Sequence, residues 1–362
     1  MIKVLIVEDS ATAQVLLSNI LTSDPNIQVI GTCSGGKSAL EFISKHKPDL
    51  ITMDLHMPGM DGLEVTRRIM ETRPVPIIIV SSSWEKDNKA SMFDYMGAGA
   101  VAALEKPQRV GDADFQQLCS QLIQTVKLMS EIKVVRRTSG KLPAYKKPED
   151  MADEVFPTKD VAIKVVGIGA STGGPPVLRT ILSGFPKDFP VPICVVQHIA
   201  QGFLPGLATW LNESCQLDVR IAEAGEEIKP GRVYLAPDGM EMGITKRLRV
   251  YLTERKTPGL SPSVSFLFDT LANNFGPESI GVLCTGMGDD GAEEMYMMRR
   301  VGAVTIAQNK ESCVVFGMPG EAVKLGGATY VLPPDKIAAT VQSTVNYRLR
   351  MASGKKTPVT EA

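Results

Sequence analysis

Residues 165–178 read "VVGIGASTGGPPVL". The stretch begins as a short apolar run, passes through Gly167, Gly169, Gly173 and Gly174, and continues into a helical pattern opened by Pro175 and Pro176. A buried strand fed through a glycine loop into a helix is the repeating unit of a parallel sheet covered by helices, so this stretch sets the fold class as α/β. Its chemistry admits three readings. A dinucleotide fingerprint would need G-x-G-x-x-G and an acid at the end of the next strand. Here the glycines are spaced G-x-G-x-x-x-G, and the next strand, "VPICVVQH", ends in Gln197 and His198. A nucleophile elbow fits better, because "GASTG" (Gly169 to Gly173) is G-x-S-x-G with Ser171 at its centre. The third reading gives the glycines a packing role only.

Serine needs a base, and the base needs an orienting group. The chain has three histidines: His46, His56 and His198. Only His198 lies in the second half, at the end of the strand following the serine loop. A further buried strand runs into "GVLCTGMGDDGAEEM", which carries Asp289 and Asp290 into a helix. One acid of the pair can cap that helix while the other holds the imidazole. The order Ser, His, Asp differs from the Ser, Asp, His of α/β-hydrolases, so the elbow alone does not assign that fold.

Outward from this stretch, "IKVVGIG", "VPICVVQ", "SIGVLCTG" and "AVTIAQ" alternate with helical patterns. The β-rich patch "EIKPGRVYLAPDGMEMGITKRLRVYLTE" interrupts them with the turn signals "KPG" and "PDG". We expect a doubly wound, mostly parallel α/β domain with a hairpin-rich insertion over 161–350, and a polar tail over 351–362. Residues 129–160 are basic, then acidic, and poor in apolar positions, which reads as a linker. Residues 1–128 show a second βα alternation: "KVLIV", "IQVIGTC", "DLITM", "PIIIV" and "AVAAL", a flavodoxin-like (βα)5 pattern.

Ligands of open parallel sheets sit at the carboxyl ends of the strands. In the first domain those ends carry Glu8 and Asp9, Asp54, Ser81 and Lys106. Crowded carboxylates call for a hard divalent cation, and a nearby lysine can hold a phosphoryl oxygen. The same domain contains "GTCSGGKS" (Gly31 to Ser38), the pattern of a phosphate-cradling loop. We expect Gly31 to lie in a strand, which would make that match fortuitous.

"VEDS", "DLHMPGMDG", "VSS" and "EKP", in this order and spacing, make residues 1 to about 125 resemble the receiver domain of two-component response regulators. The resemblance implies that Asp54 accepts a phosphoryl group from a histidine kinase. Glu8, Asp9, Asp54 and the backbone carbonyl of His56 would hold Mg²⁺, with Ser81 as switch hydroxyl and Lys106 as phosphoryl contact. Ala103 departs from the pattern, since an aromatic switch residue is common there. A receiver followed by "GASTGG", "QHI", "PGRVYLAP", "SPSV", "TGMGDDGA" and "GMPGEA" resembles the protein-glutamate methylesterases of bacterial chemotaxis over nearly the whole chain. That resemblance implies hydrolysis of glutamate γ-methyl esters on methyl-accepting chemoreceptors, with glutamine deamidation as a related activity. Ser171 would be nucleophile, His198 base and Asp290 orienting acid, with Thr172 and Met287 lining the oxyanion side and no cofactor for the ester chemistry. Pro175, Pro176 and Gly320 depart from the residues common at those positions. The linker implies regulation: an unphosphorylated receiver docked over the Ser171 cleft would exclude receptor helices, and phosphorylation would shift the population toward an open form. A receiver joined to a non-catalytic binding module is the competing class.

The bulk numbers agree with an ordinary globular protein. The chain has 362 residues, net charge −1 and 44% hydrophobic residues, which gives no general attraction to nucleic acid or anionic membrane. No apolar run reaches the roughly 18 residues of a spanning helix. Six scattered cysteines without a C-x-x-C pair read as reduced thiols. We expect a cytoplasmic monomer that binds no nucleic acid and does not insert into membrane.

Overall fold

A computed structural model describes residues 1–55, 57–81, 89–107, 115–131, 161–255 and 261–353. The chain separates into two compact units, 1–145 and 146–362.

The first unit runs β1 (Ile2–Val7), α1 (Ala11–Thr22), β2 (Ile27–Cys33), α2 (Gly36–Lys45), β3 (Leu50–Met53), α3 (Gly62–Thr72), β4 (Ile77–Ser81), α4 (Lys89–Ala98), β5 (Ala102–Glu105) and α5 (Phe115–Ser130). The five strands form a parallel sheet in the order β2-β1-β3-β4-β5. β3 and β4 are buried at every residue, as strands covered on both faces must be. Helix starts follow local chemistry: the Ser10 side chain accepts from the Ala13 amide, and that of Asp61 from the Glu64 amide.

β2 answers the question posed by "GTCSGGKS". Gly31, Thr32 and Cys33 pair with Leu5, Ile6 and Val7 inside the sheet. A Cβ at Gly31 would come within 2.6 Å of the Phe42 ring, so that glycine is there for packing. Lys37 is exposed in the first turn of α2. With the first three residues of the motif in a strand, no loop remains to wrap phosphates.

The second unit runs β6 (Val165–Ala170), α6 (Gly174–Leu182), β7 (Ile193–Gln197), α7 (Leu204–Ser214), β8 (Asp218–Ile221), β9 (Arg232–Leu235), β10 (Met240–Ile244), β11 (Val250–Glu254), α8 (Val264–Asn274), β12 (Ser279–Leu283), α9 (Ala292–Arg300), β13 (Val304–Gln308), α10 (Met318–Lys324), β14 (Tyr330–Leu332) and α11 (Pro334–Ala352). Seven strands form one sheet, β14-β13-β12-β6-β7-β9-β8, and every pairing in it is parallel. β6, β7, β12 and β13 are buried throughout. The α/β expectation holds, with one refinement to the β-rich patch. Only β10 and β11 form a separate antiparallel hairpin, and "RVYL" joins the main sheet as β9. α5 extends through Ser130 and α11 through Ala352. Most of the expected linker (132–160) and most of the tail (354–362) lie outside the described residues.

In the seven-stranded sheet the chain winds one way from β6 to β7 and the other way from β6 to β12. Their shared C-terminal edge is where such sheets bind ligands.

Candidate active site

At that edge, β6 ends in Ala170 and delivers Ser171. β7, paired to it through Ala170 and Gln197, delivers His198. β12, on the other side of β6, leads into the loop carrying Asp290. The serine turn is pinned from both flanks. The Ser171 amide donates to the Thr285 carbonyl (3.0 Å), and the His198 amide donates to the Ala170 carbonyl (2.9 Å). Gly173 sits at φ +76°, a left-handed conformation that lets α6 start directly behind the serine. Pro175 and Pro176 occupy the first turn of α6, where their missing N–H groups cost nothing. Gly286 lies so close behind the nucleophile turn that a Cβ there would come within 2.7 Å of Ser171 Cβ.

His198 Nε2 lies 2.9 Å from Asp290 Oδ2. The two are near enough for an ion pair, although the N–H is not aligned for a straight hydrogen bond; such contacts commonly tighten only when substrate binds. Nδ1 of the same ring is buried without a hydrogen-bond partner. With Nε2 turned to the carboxylate, Nδ1 is the nitrogen left to receive a proton. Asp290 is held by the N-terminus of α8: Oδ2 accepts from the Val264 amide (2.7 Å) and Oδ1 from the Ser265 amide (3.0 Å). Burial would raise the Asp290 pKa, but the imidazole and these two amides outweigh it and hold the carboxyl below its usual 3.8. The dipole of α8 favours the same charge. Asp289, by contrast, is exposed, and its carbonyl accepts from the Ala292 amide ahead of α9. Of the two acids in "GDDG", the structure brings Asp290 to the histidine.

Thr172 and Met287 flank this edge. The Thr172 carbonyl accepts from Thr285 Oγ1 (2.9 Å), and Met287 is exposed on the loop after β12. Several supporting groups were invisible to sequence reasoning. Buried Glu241 accepts from both the amide and the hydroxyl of Ser263 (2.8 Å each), fixing the residue that caps α8. Ser265 Oγ accepts from the Gly291 amide (2.9 Å) and donates to Glu294 (2.7 Å). Gln308 Oε1 accepts from the Thr285 amide (2.8 Å). The only signal any of them gave was a polar residue beside a strand or helix end.

The first unit gathers its own set of groups. Glu8, Asp9 and Asp54 present carboxylate oxygens within 4.8 Å of one another. Lys106 Nζ lies 2.6 Å from Glu8 Oε2 and 3.1 Å from Asp54 Oδ1, and all three side chains are buried. Burial pushes the Glu8 pKa up and the Asp54 charge adds to it, while the Lys106 ammonium opposes both. Ser81 ends β4 fully buried. Ala103 is partly buried, paired with Ile79. His56 lies outside the described residues. Sequence reasoning missed Tyr95, whose hydroxyl donates to the Leu55 carbonyl (3.2 Å) and whose pKa burial pushes up to about 12.

Comparison with known proteins gives a family match for each unit. The CheB methylesterase family matches residues 166–341, and the response regulator receiver domain family matches residues 4–116. A "Protein-glutamate methylesterase/protein-glutamine glutaminase 1" of Syntrophus aciditrophicus is 48% identical over 339 residues, covering 93% of this chain and 97% of that protein. Relatives of the same description from Geobacter metallireducens and Nitrosospira multiformis are each 46% identical, covering 95% and 96% of this chain and 99% and 98% of theirs. With that identity over nearly the whole of each chain, this chain belongs to the protein-glutamate methylesterase/protein-glutamine glutaminase family.

Proposed function

We propose that this protein hydrolyses γ-methyl esters of glutamate side chains in chemoreceptors, with glutamine side-chain amides as a second substrate, under control of phosphorylation at Asp54. The observation that carries the reading is the 2.9 Å approach of His198 Nε2 to Asp290 Oδ2 beside the strand end that delivers Ser171.

Ser171 Oγ attacks the ester carbonyl while His198 Nδ1 takes its proton. Asp290, kept ionised by the α8 amides, stabilises the resulting imidazolium and holds its proton on Nε2. Backbone N–H groups of the turns at Thr172 and Met287 would donate to the oxyanion; a donor of this kind typically contributes about 3 to 4 kcal/mol. The imidazolium returns its proton to the departing methoxide, which leaves as methanol. Water, deprotonated by His198, then attacks the acyl-serine and releases the free glutamate.

In the first unit Asp54 is the phosphoryl acceptor, supplied by a histidine kinase. Three clustered carboxylates form a hard, anionic oxygen set that suits Mg²⁺. Glu8, Asp9 and Asp54, with the His56 carbonyl, would hold it, and it would supply positive charge against the phosphoryl oxygens. Lys106 adds a second cation, and Ser81 lies at the end of the neighbouring strand. The reaction takes place in the cytoplasm on receptors embedded in the membrane; no helix among the described residues is long and apolar enough to cross one.

The test is methanol release from methylated receptor membranes. Ser171→Ala and His198→Ala should each abolish it with the fold retained. Substantial turnover by either variant would remove the triad, and binding without turnover by the wild type would favour the non-catalytic module.

A further inference from the structure

Gln197 ends β7, is buried, and has no part in the chemistry above. Its Nε2 lies 2.8 Å from the Ser171 carbonyl oxygen and 2.8 Å from the His198 carbonyl oxygen. Both partners only accept, so the amide orientation is set by chemistry: the NH₂ must face them. The regular ladder between β6 and β7 closes at Ala170 and Gln197, and the His198 amide adds one last bond to Ala170. Beyond that point the two chains part, one into the turn that opens α6 and the other toward α7. Gln197 bridges them where the ladder no longer can. Its Oε1 is buried without a hydrogen-bond partner and is turned toward Gly174, where any Cβ would overlap it.

We propose that Gln197 is a positioning residue for the esterase reaction: its carboxamide clamps the backbone of the nucleophile to the backbone of the base, and with Ala170 it fills the space that a Cβ at residue 174 would need. The inference rests on the reading of Ser171 and His198 given above. A displacement of about 1 Å between reacting groups can cost on the order of 100-fold in rate, which is the scale on which such a brace acts.

Gln197→Glu separates this role from simple packing. The side chain keeps its shape but loses its donor. Ionised, the carboxylate faces two carbonyl oxygens in a buried site, so its pKa is driven above the usual carboxylate range. Protonated, it restores one bond through its O–H. Turnover relative to wild type should therefore be best at acid pH and fall as pH rises through that raised pKa. Methanol release by the full chain, followed between about pH 5 and 8, reads this ratio. Gln197→Met, similar in length but without a donor, should lower kcat by about 10- to 100-fold with KM within about twofold. Gly174→Ala should be damaging in the wild type and less so on top of Gln197→Ala, which removes the overlap with the carboxamide and leaves the 2.9 Å approach to Ala170 Cβ.

Thermal melts accompany each variant. The Gln197 side-chain amide protons, followed by NMR hydrogen exchange in the wild type, give a readout independent of turnover and of any variant's folding. Retarded exchange is expected. Exchange at the rate of a free glutamine, a pH-independent Glu/wild-type ratio in a folded protein, or a Met variant within about threefold of wild-type kcat would each overturn the clamp. A wild type that releases no methanol removes the esterase reading instead, and amide exchange then still decides whether the clamp exists.

Discussion

Asp290→Asn isolates the orienting acid, and the structure allows its cost to be worked out. The carboxylate accepts from two backbone amides, Val264 on Oδ2 and Ser265 on Oδ1, and its Oδ2 lies 2.9 Å from His198 Nε2. An asparagine offers one oxygen and one NH₂ in the same space. With the oxygen toward Val264 and His198, the NH₂ opposes the Ser265 amide, donor against donor, and the charge that stabilises the imidazolium is gone. With the amide flipped, the NH₂ donates to His198 Nε2 and drives the ring proton to Nδ1, the nitrogen that must accept from Ser171. The first state forfeits a charge-assisted bond of roughly 1.5–3 kcal/mol and leaves a backbone donor unpaired; the second holds a base with its proton on the wrong atom. Together they predict a fall in kcat of about 100- to 10,000-fold, equivalent to roughly 2.7–5.4 kcal/mol of barrier. Asp289→Asn, on an exposed side chain, should stay within about threefold. The assay is methanol release under saturating methylated receptor, with circular dichroism to confirm folding. An Asp290→Asn enzyme within about fivefold of wild type, or an Asp289→Asn enzyme equally impaired, would refute the assignment.

Lys37→Ala should leave phosphorylation and turnover unchanged, and ATP binding by the intact chain that this substitution removes would contradict the strand assignment of Gly31. Glu8 has a raised pKa in the folded state, so the folded chain holds its proton more tightly than the unfolded one. Its contribution to stability therefore weakens as pH climbs from 4.5 through the raised value. Glu8→Gln should accordingly raise the melting temperature of the first unit's transition at neutral pH without Mg²⁺ and blunt the further rise on adding Mg²⁺; a lower melting temperature would show that the Lys106 pairing outweighs burial. A small acyl phosphate with Mg²⁺ should increase methanol release by about 5- to 150-fold, and Asp54→Asn should abolish that increase while keeping basal turnover. Ser81→Ala should still take up phosphate but lose most of the increase, measured as phosphoprotein against methanol released.

Much of this was legible because parallel strands buried on both faces must be apolar throughout. "PIIIV" holds all of β4 but Ser81, and "IKVVGIG" all of β6 but Ala170. The reactive groups were legible because strand ends in such sheets face one edge, so a lone histidine after β7 and a glycine-flanked serine after β6 had to be neighbours. What stayed hidden depends on partners distant in sequence. Nothing local in "RVYL" says that β7 will accept it as β9 while the next two strands form a hairpin of their own. Asp289 and Asp290 differ only in which one reaches the α8 amides, and α8 begins a full strand earlier in the chain. Gln197 read only as the absence of the acid that would hold a ribose. Which nitrogen of His198 faces the carboxylate is a property of the assembled edge that no spacing encodes.

The placement of β6 between β7 and β12 also dictates when, during folding, the enzyme comes to life. β6 meets β7 after a short excursion through α6, but Val165 meets Ser279 only after more than a hundred intervening residues have been threaded through β8 to β11 and α8. Nucleophile and base can thus be brought side by side by an early, local pairing, whereas Asp290 arrives with the most distant closure in the sheet. Loops of that length form late relative to local contacts. Regained methanol release is consequently a reporter of the last topological step. In a refolding experiment it should trail the return of secondary structure, and a nascent chain should remain silent until β12 has been made.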